Sequence, residues 1–154
     1  MRTRGAAASA PGTPITAAGA QQKVVFIAGG IGITPFRSMV KYLLDTRQPR
    51  PLVLLYANSI EADIVYTDVF KQAERELGMR TVYTLTDRQK VSPVWLGRVG
   101  YIDAALIRQE VPDYKACLFY VSGPNAMVDA TLAALQNLGV HADHIRTDFF
   151  PGLA

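Results

Sequence analysis

The sequence predicts an α/β fold in which a doubly wound, five-stranded, mostly parallel sheet lies between two layers of helices. Apolar runs rich in β-forming residues alternate with segments whose apolar residues recur at three- and four-residue spacing. Two strand-to-helix junctions, at residues 29–35 and 122–125, are rich in glycine and proline. The 154 residues, 49% hydrophobic and 19% charged, are enough for one domain with a buried core.

The first 22 residues differ in composition from the rest of the chain. Residues 5–20 are almost all Ala, Gly, Ser, Pro and Thr, so they offer little apolar surface to bury. We expect residues 1–22 to be a flexible tail. The continuous apolar run of a secretory signal is missing from this stretch, which disfavours a targeting peptide. The folded domain is predicted to cover residues 23–154.

The first half of this domain has the pattern strand, helix, strand, helix, strand. Val24–Ala28 is the first strand, and the apolar run at 52–57 is typical of a strand buried on both faces. A helix is predicted between them. Another is predicted at 61–77, with Gly78 beyond its end, followed by a strand at 79–86. The apolar faces of the two helices are Phe36, Met39, Val40, Leu43 and Leu44, then Val65, Val69, Phe70, Ala73 and Leu77.

The second half begins with a long predicted loop at 87–100, which contains three glycine or proline residues. Asp103 is suited to cap a short helix, and residues 116–121 form a fourth buried strand. A helix follows that Gly139 ends, and residues 145–150 form a short fifth strand. The apolar residues of that last helix are Met127, Val128, Thr131, Leu132, Leu135 and Leu138.

A glycine loop follows the first strand directly. Gly29, Gly30 and Gly32 precede Thr34, which is suited to a helix N-cap, and Pro35, which is suited to the first helical position. Backbone N–H groups and the helix dipole converge at such a junction, and a phosphate can approach closely where side chains are missing. Ordinary strand-to-helix turns also contain glycine, so the loop alone leaves both interpretations open.

The second junction, Ser122-Gly123-Pro124-Asn125, follows the fourth predicted strand. Helical crossovers make the strands parallel, so both junctions are expected at the carboxyl edge of the sheet. Ligands of doubly wound sheets bind at that edge, near the point where the strand order reverses. The convergence of two such turns favours a nucleotide site more than either turn does by itself.

Several other chemistries are disfavoured. No Gly-Lys-Ser/Thr follows the glycine loop, and no Gly-x-Ser-x-Gly elbow occurs, so neither a P-loop nor a serine hydrolase is supported. His141 and His144 lack further ligands, and no metal site is predicted. Sixteen scattered basic residues and a net charge of +3 do not indicate nucleic-acid binding. No apolar stretch is long enough for a membrane span, and the single cysteine, Cys117, favours a reducing, cytoplasmic compartment.

Two features separate the chain from ordinary Rossmann dehydrogenases. Pro35 occupies the place of the third fingerprint glycine, and Asn58-Ser59 stands at the end of the second strand, where an acid usually holds the ribose hydroxyls. These departures favour a different dinucleotide-binding family.

The chain resembles the NAD(P)-binding module of the ferredoxin–NADP reductase-like flavin oxidoreductase superfamily, over about residues 23–152. The stretches that resemble family motifs, in the expected order, are Ala-Gly-Gly-Ile-Gly-Ile-Thr-Pro-Phe at 28–36, Tyr56–Ile64, Thr84–Asp87, Gly97–Ile102, Val-Ser-Gly-Pro-Asn-Ala-Met at 121–127, and Thr147–Gly152.

The resemblance implies a module that presents NAD(P)H for hydride transfer to flavin. Ser122 stands where many members have a cysteine near the nicotinamide, and it is either a polar substitute in catalysis or a simple turn residue. The predicted cofactor-binding residues are Gly29, Gly30, Gly32, Thr34, Pro35, Asn58, Ser59, Thr86, Asp87, Gly123, Pro124 and Met127.

Family members normally carry a flavin-binding β-barrel before this module, and here only a short polar tail precedes it. FAD or FMN is therefore expected from a missing or partner domain, with a downstream electron acceptor beyond it. The isolated chain is expected to hold flavin poorly. The alternatives are a truncated reductase that is inactive alone, and a non-catalytic nucleotide-binding or interaction domain.

The choice between NADH and NADPH depends on charge near the adenosine ribose. Asp87 would repel a 2′-phosphate, which favours NADH. Arg88, Lys90 and Arg98 lie on the following loop and would favour NADPH if they reached that phosphate.

Overall fold

The computed structural model describes residues 22–147, and six strands and four α-helices lie within them. The predicted tail at 1–22, apart from Gln22, and the predicted strand beyond Arg146, apart from Thr147, lie outside the described residues. The elements are β1 Val24–Gly29, α1 Thr34–Asp45, β2 Leu52–Asn58, α2 Thr67–Leu77, β3 Arg80–Leu85, β4 Arg98–Val99, α3 Ala104–Glu110, β5 Leu118–Ser122, α4 Asn125–Asn137 and β6 Ile145–Arg146.

The strands form one sheet in the order β4-β3-β2-β1-β5-β6, and every neighbouring pair is parallel. From β1, in the middle of the sheet, the chain proceeds outward through β2 and β3 to β4, and then crosses to β5 on the other side of β1. The strand order therefore reverses between β1 and β5. The predicted doubly wound parallel sheet is confirmed, and the reversal marks the edge where such sheets bind ligands.

Two apolar layers cover the sheet. Alternate residues of β1 face opposite sides, so that Phe26 packs with α1 and α2 whereas Ile27 packs with α3 and α4. Both of these β1 side chains are fully buried. The predicted three-layer α/β/α arrangement is confirmed, and the five apolar residues predicted for the face of α1 are all buried.

The sheet has six strands where the sequence predicted five. Arg98–Val99 pairs with Thr84–Leu85 at the outer edge, inside the segment predicted to be a loop. Two paired residues are too few to show the alternation by which a strand is recognised in sequence. The strand predicted at 116–121 begins at Leu118, because residues 114–116 form a 3₁₀ turn.

The helix predicted at 61–77 begins only at Thr67. Residues 61–63 form a 3₁₀ turn, and the backbone N–H of Val65 donates to the Tyr56 hydroxyl at 3.4 Å. The sequence predicts Val65 on the apolar face of the helix, but 45% of its surface is exposed. At the other end, Gly78 adopts φ +72° and ends the helix as predicted.

Thr34 is not the N-cap of α1. Residues Gly30–Ile33 form a 3₁₀ turn that continues into α1, so Thr34 already has helical φ −56° and ψ −48°. No side chain caps this helix, and Pro35 lies in its first turn as predicted. Asp103, in contrast, caps α3 as expected, because its carboxylate accepts from the Leu106 N–H at 2.9 Å.

Glu110 joins the end of α3 to the outer strands. Its carboxylate accepts from Arg80 at 2.8 Å and from Arg98 at 2.9 Å. The hydrogen bond from Arg80, reinforced by Arg98, holds the pKa of Glu110 below its ordinary value of 4.5. The two-residue strand β4 thus gains a side-chain connection that its short ladder cannot supply.

We expect Glu110→Gln to lower the melting temperature at pH 7 by a few degrees, equivalent to about 1 kcal/mol for a partly exposed pair. The folded-state pKa is depressed, so this stability is present above the unfolded-state pKa and is lost as pH falls through the folded-state pKa. The difference between the proteins should therefore shrink below pH 4.5. Thermal melts from pH 7 to roughly pH 3.5 measure it, with the exposed Glu76→Gln as control. A difference that is constant across this range would contradict the assignment.

Candidate functional site

A cleft of about 730 Å³ lies at the carboxyl edge of the sheet, where the strand order reverses. It is bounded by the ends of β1, β2 and β3, by the start of α4, and by the segment before α3. Its lining residues are Gly29, Gly30, Ile31, Ala57, Asn58, Ser59, Asp63, Val65, Thr86, Tyr101, Ile102, Asp103, Pro124, Ala126, Met127, Ala130, Thr131 and Ala134. Both glycine-rich junctions contribute to it, as the sequence predicted.

The β1–α1 turn exposes its backbone to this cleft at Gly30. The residue has φ +54°, a conformation that glycine adopts freely, and a Cβ built there would have no neighbour within 4 Å. The space beside Gly30 is therefore open to a ligand.

Met127 connects the two junctions. A Cβ at Gly29 would lie 2.7 Å from the Met127 sulfur, and one at Gly123 would lie 2.5 Å from it. Gly29 and Gly123 thus make room for the thioether, which forms part of the cleft wall between β1 and α4.

The sequence suggested that Gly32 lacks a side chain so that a phosphate can approach closely. The structure shows a different reason. A Cβ there would lie 2.3 Å from the Ser122 carbonyl oxygen and 2.6 Å from the Gly123 nitrogen. The residue is buried and is not among those lining the cleft. Gly32 lets the β1–α1 turn pack directly on the β5–α4 turn, and so fixes the distance between the two walls.

Helix N-termini supply hydrogen-bond donors to the same edge. No side chain caps α1 or α4, and the first residues of α4 have no preceding turn to accept their N–H groups. Pro124, Ala126 and Met127, at this uncapped end of α4, line the cleft. The positive end of the α4 dipole therefore faces the cleft, beside Gly30 and Ile31 of the 3₁₀ turn that leads into α1.

The charged residues in the described cleft lining are both acidic. Asp63 and Asp103 line the cleft, and no Lys or Arg is found among the described residues that do so. Arg98 is held by Glu110, away from the cleft lining. Asp87 caps the 3₁₀ turn at 88–90 through the Gln89 N–H at 3.2 Å. The groups that the described lining offers to an anion are therefore neutral donors and the dipole of α4.

The structure brings together most of the predicted site. The predicted residues that line the cleft are Gly29, Gly30, Asn58, Ser59, Thr86, Pro124 and Met127. Those that do not line it are Gly32, Thr34, Pro35, Asp87, Ser122 and Gly123. Ser122 is the last residue of β5, and its carbonyl faces Gly32.

Sequence reasoning missed one wall of the cleft, formed by α4 and the segment before α3. Ala126, Ala130 and Ala134 recur every four residues, which places three small side chains along one stripe of α4. That spacing of alanines was a usable signal. No sequence pattern indicated that Asp63 and Tyr101 line the site, because their positions depend on how two loops fold back over the sheet.

The two histidines and the cysteine named by the sequence do not line the cleft. Residues 22–147 contain no group of side chains that could hold a metal ion. The His141 ring accepts the Asp143 N–H at 3.1 Å. Burial raises the pKa of Cys117 to about 11, and this thiol lies before β5, at the opposite edge from the cleft. No helix within residues 22–147 is long and apolar enough to cross a membrane.

The sequence profile of the oxidoreductase NAD-binding domain family matches residues 26–132, most of the described chain. This protein belongs to that family. Its NAD-binding domain is similar to a Na(+)-translocating NADH-quinone reductase component of Yersinia pestis, with 31% identity over 135 residues, which cover 84% of this chain and 33% of the relative. It is also 24% identical to the glycine betaine monooxygenase reductase subunit of Pseudomonas aeruginosa over 128 residues. These residues cover 83% of this chain and 35% of the relative.

Solved structures share the fold of this oxidoreductase NAD-binding domain. An Amycolatopsis cytochrome P450 reductase superposes with a TM-score of 0.70 at 25% identity, covering 84% of this chain and 38% of the other. The cytochrome b5 reductase domain of Ulva prolifera nitrate reductase superposes with a TM-score of 0.69 at 24% identity. The superposition covers 82% of this chain and 48% of the other. The resemblance to the NAD(P)-binding module of the ferredoxin–NADP reductase-like superfamily is thus confirmed. The chain spans about a third of the length of the curated relatives that it matches.

Proposed function

We propose that the cleft binds NADH in preference to NADPH and presents it for hydride transfer to a flavin held by another domain or chain. The observation that supports this most strongly is the packing of two glycine-rich junctions, through Gly32 on Ser122, beside one cleft that the uncapped N-terminus of α4 faces. The arrangement offers backbone donors and close approach together, as a pyrophosphate requires.

The cleft runs across the sheet edge from α4 to the end of β3, and a dinucleotide would lie along it. The nicotinamide end would occupy the space between Gly30 and Met127, and the adenosine end would lie toward Ser59 and Thr86. When bound, the nicotinamide supplies the hydride. The protein's own part is to hold and orient it, since this reaction needs little from protein acids or bases.

The preference for NADH rests on charge. A 2′-phosphate in this cleft would meet Asp63 and Asp103 without a cation among the lining residues. The loop cations named by the sequence do not line the cleft either, and Arg98 is paired with Glu110. A downstream electron acceptor and a cytoplasmic location remain predictions, the first by analogy with relatives that are quinone and monooxygenase reductases.

The test is calorimetric titration of the full chain with NADH and with NADPH, each with and without added FAD. We expect NADH to bind with a dissociation constant below about 1 mM, and NADPH to bind at least about tenfold more weakly. We expect free FAD to change neither value. Absence of binding by both dinucleotides would overturn the proposed function, and equal affinities would overturn only the preference.

A further inference from the structure

Tyr66 has a backbone conformation that is rare for a bulky residue. It directly precedes α2 with φ +64° and ψ +23°, in the left-handed region that glycine adopts freely. A side chain in this conformation crowds the neighbouring backbone, which lowers the stability of the folded state. The side chain of Tyr66 does not cap α2, so a capping bond does not explain the conformation. The position therefore keeps an aromatic ring at a cost in stability that glycine would avoid.

The ring of Tyr66 packs against Arg37, near the start of α1. The guanidinium carbon of Arg37 lies 5.7 Å from the ring centre, which is a cation–π contact. The helix dipole disfavours a cation at this end of α1, and the Nε of Arg37 is buried without a hydrogen-bond partner among residues 22–147. No carboxylate within that range pairs with Arg37. Two residues that are each locally unfavourable therefore meet, one from the start of each helix.

This contact joins two segments that line the cleft. Arg37 follows the β1–α1 turn, which contributes Gly30 to the lining, and Tyr66 directly follows Val65, which lines the opposite side. The hydrogen bond from the Val65 N–H to the Tyr56 hydroxyl is long, at 3.4 Å, and so restrains this segment only weakly. The contact between Arg37 and Tyr66 is thus a direct connection between the two helix starts beside the cleft.

We infer that Tyr66 and Arg37 are positioning residues that hold the segment 59–65 at a fixed distance from the β1–α1 turn, and so keep the cleft at the width that a dinucleotide needs. This inference rests on the proposed function. Neither residue lines the cleft, so both act through neighbours that do, Val65 and Gly30. A wall that is fixed before the ligand arrives loses little conformational freedom on binding. The strained conformation is retained because glycine would leave this wall without its connection to α1.

The test compares Tyr66→Gly, Tyr66→Phe, Arg37→Met and the double variant Tyr66→Gly/Arg37→Met with the wild-type chain. NADH affinity is measured by calorimetry, and the melting temperature is measured without ligand. We expect about fivefold weaker binding for Tyr66→Gly and for Arg37→Met, and about the same loss for the double variant, because all three remove one contact. Tyr66→Phe keeps the ring and should bind NADH as the wild-type chain does.

The melting temperatures distinguish positioning from a general loss of stability. Glycine relieves the strain at φ +64°, and methionine removes a buried unpaired nitrogen while keeping a long side chain. Neither single variant should therefore melt more than about 3 °C below the wild-type chain. Lys41→Met is the matched control, since it removes an exposed cation of the same helix that pairs with Asp45, and it should leave the NADH affinity unchanged.

Other outcomes overturn the inference in distinguishable ways. Wild-type affinity in both Tyr66→Gly and Arg37→Met would show that the contact does not act on the cleft. An equal loss in Tyr66→Phe would assign the effect to the hydroxyl, and losses that multiply in the double variant would show that the two residues act independently. A large fall in melting temperature alongside the affinity would make them structural residues. Failure of the wild-type chain to bind NADH would refute the proposed function itself, before any variant is made.

Discussion

Gly32→Ala is expected to destabilise the fold strongly, although alanine is the smallest possible addition. The new Cβ would lie 2.3 Å from the Ser122 carbonyl oxygen and 2.5 Å from its carbon, and both contacts are with backbone. Neither backbone segment can move without a large cost in free energy, because Ser122 ends a central strand and Gly32 lies in the turn that enters α1. Overpacking of this kind costs about 3 kcal/mol, or roughly 10 °C in melting temperature. Thermal unfolding followed by circular dichroism measures it.

Gly30→Ala in the same turn is the matched control. Its Cβ would meet no atom within 4 Å, so only the left-handed backbone at φ +54° opposes the substitution. That strain costs about 1 kcal/mol, a few degrees. If Gly32→Ala melted no lower than Gly30→Ala, the proposed packing of the two turns would be wrong.

Ala126→Phe is expected to reduce NADH affinity by more than about tenfold while leaving the fold intact. Ala126 lies in the first turn of α4, lines the cleft, and is exposed. A benzyl group there would occupy space that we assign to the dinucleotide, and would cover the N–H groups at the start of the helix. Because the position is exposed, no core residue has to move, and the melting temperature should change by no more than about 2 °C.

Ala133→Phe provides the comparison for this substitution. Ala133 is exposed on the same helix but does not line the cleft. Calorimetric titration with NADH should give the wild-type dissociation constant for this variant. Wild-type affinity in Ala126→Phe would show that the ligand does not pass the start of α4, and equal losses in both variants would indicate a nonspecific effect.

The sequence was sufficient to predict the layers and most of the elements. Buried strands and amphipathic helices can be predicted from the local periodicity of apolar residues. Caps such as Asp103 and Gly78 depend only on neighbours within a few residues. The sequence did not predict the strand β4 or the late start of α2, because neither follows from a local pattern. Both depend on contacts with distant segments: Thr84–Leu85 for the first, and the Tyr56 hydroxyl for the second.

The prediction of the site followed the same division. The glycine spacing at 29–32 and the turn at 122–127 were enough to predict a nucleotide site at one sheet edge, because parallel strands must end together. The sequence could not distinguish glycines that face a ligand from glycines that face the protein. Gly30 faces the open cleft and Gly32 faces the β5–α4 turn, and only the packing of one turn on the other separates them.

By itself, the sequence determined the α/β class, the two junctions and the kind of ligand they suit, since these follow from residue type and short-range spacing. The tertiary structure decided which residues form the cleft, that the described lining carries no cation, and that Tyr66 contacts Arg37. The physical reason is that burial and side-chain contacts are properties of a residue's three-dimensional surroundings, which are assembled here from the Gly30 turn, the segment before α2, and α4.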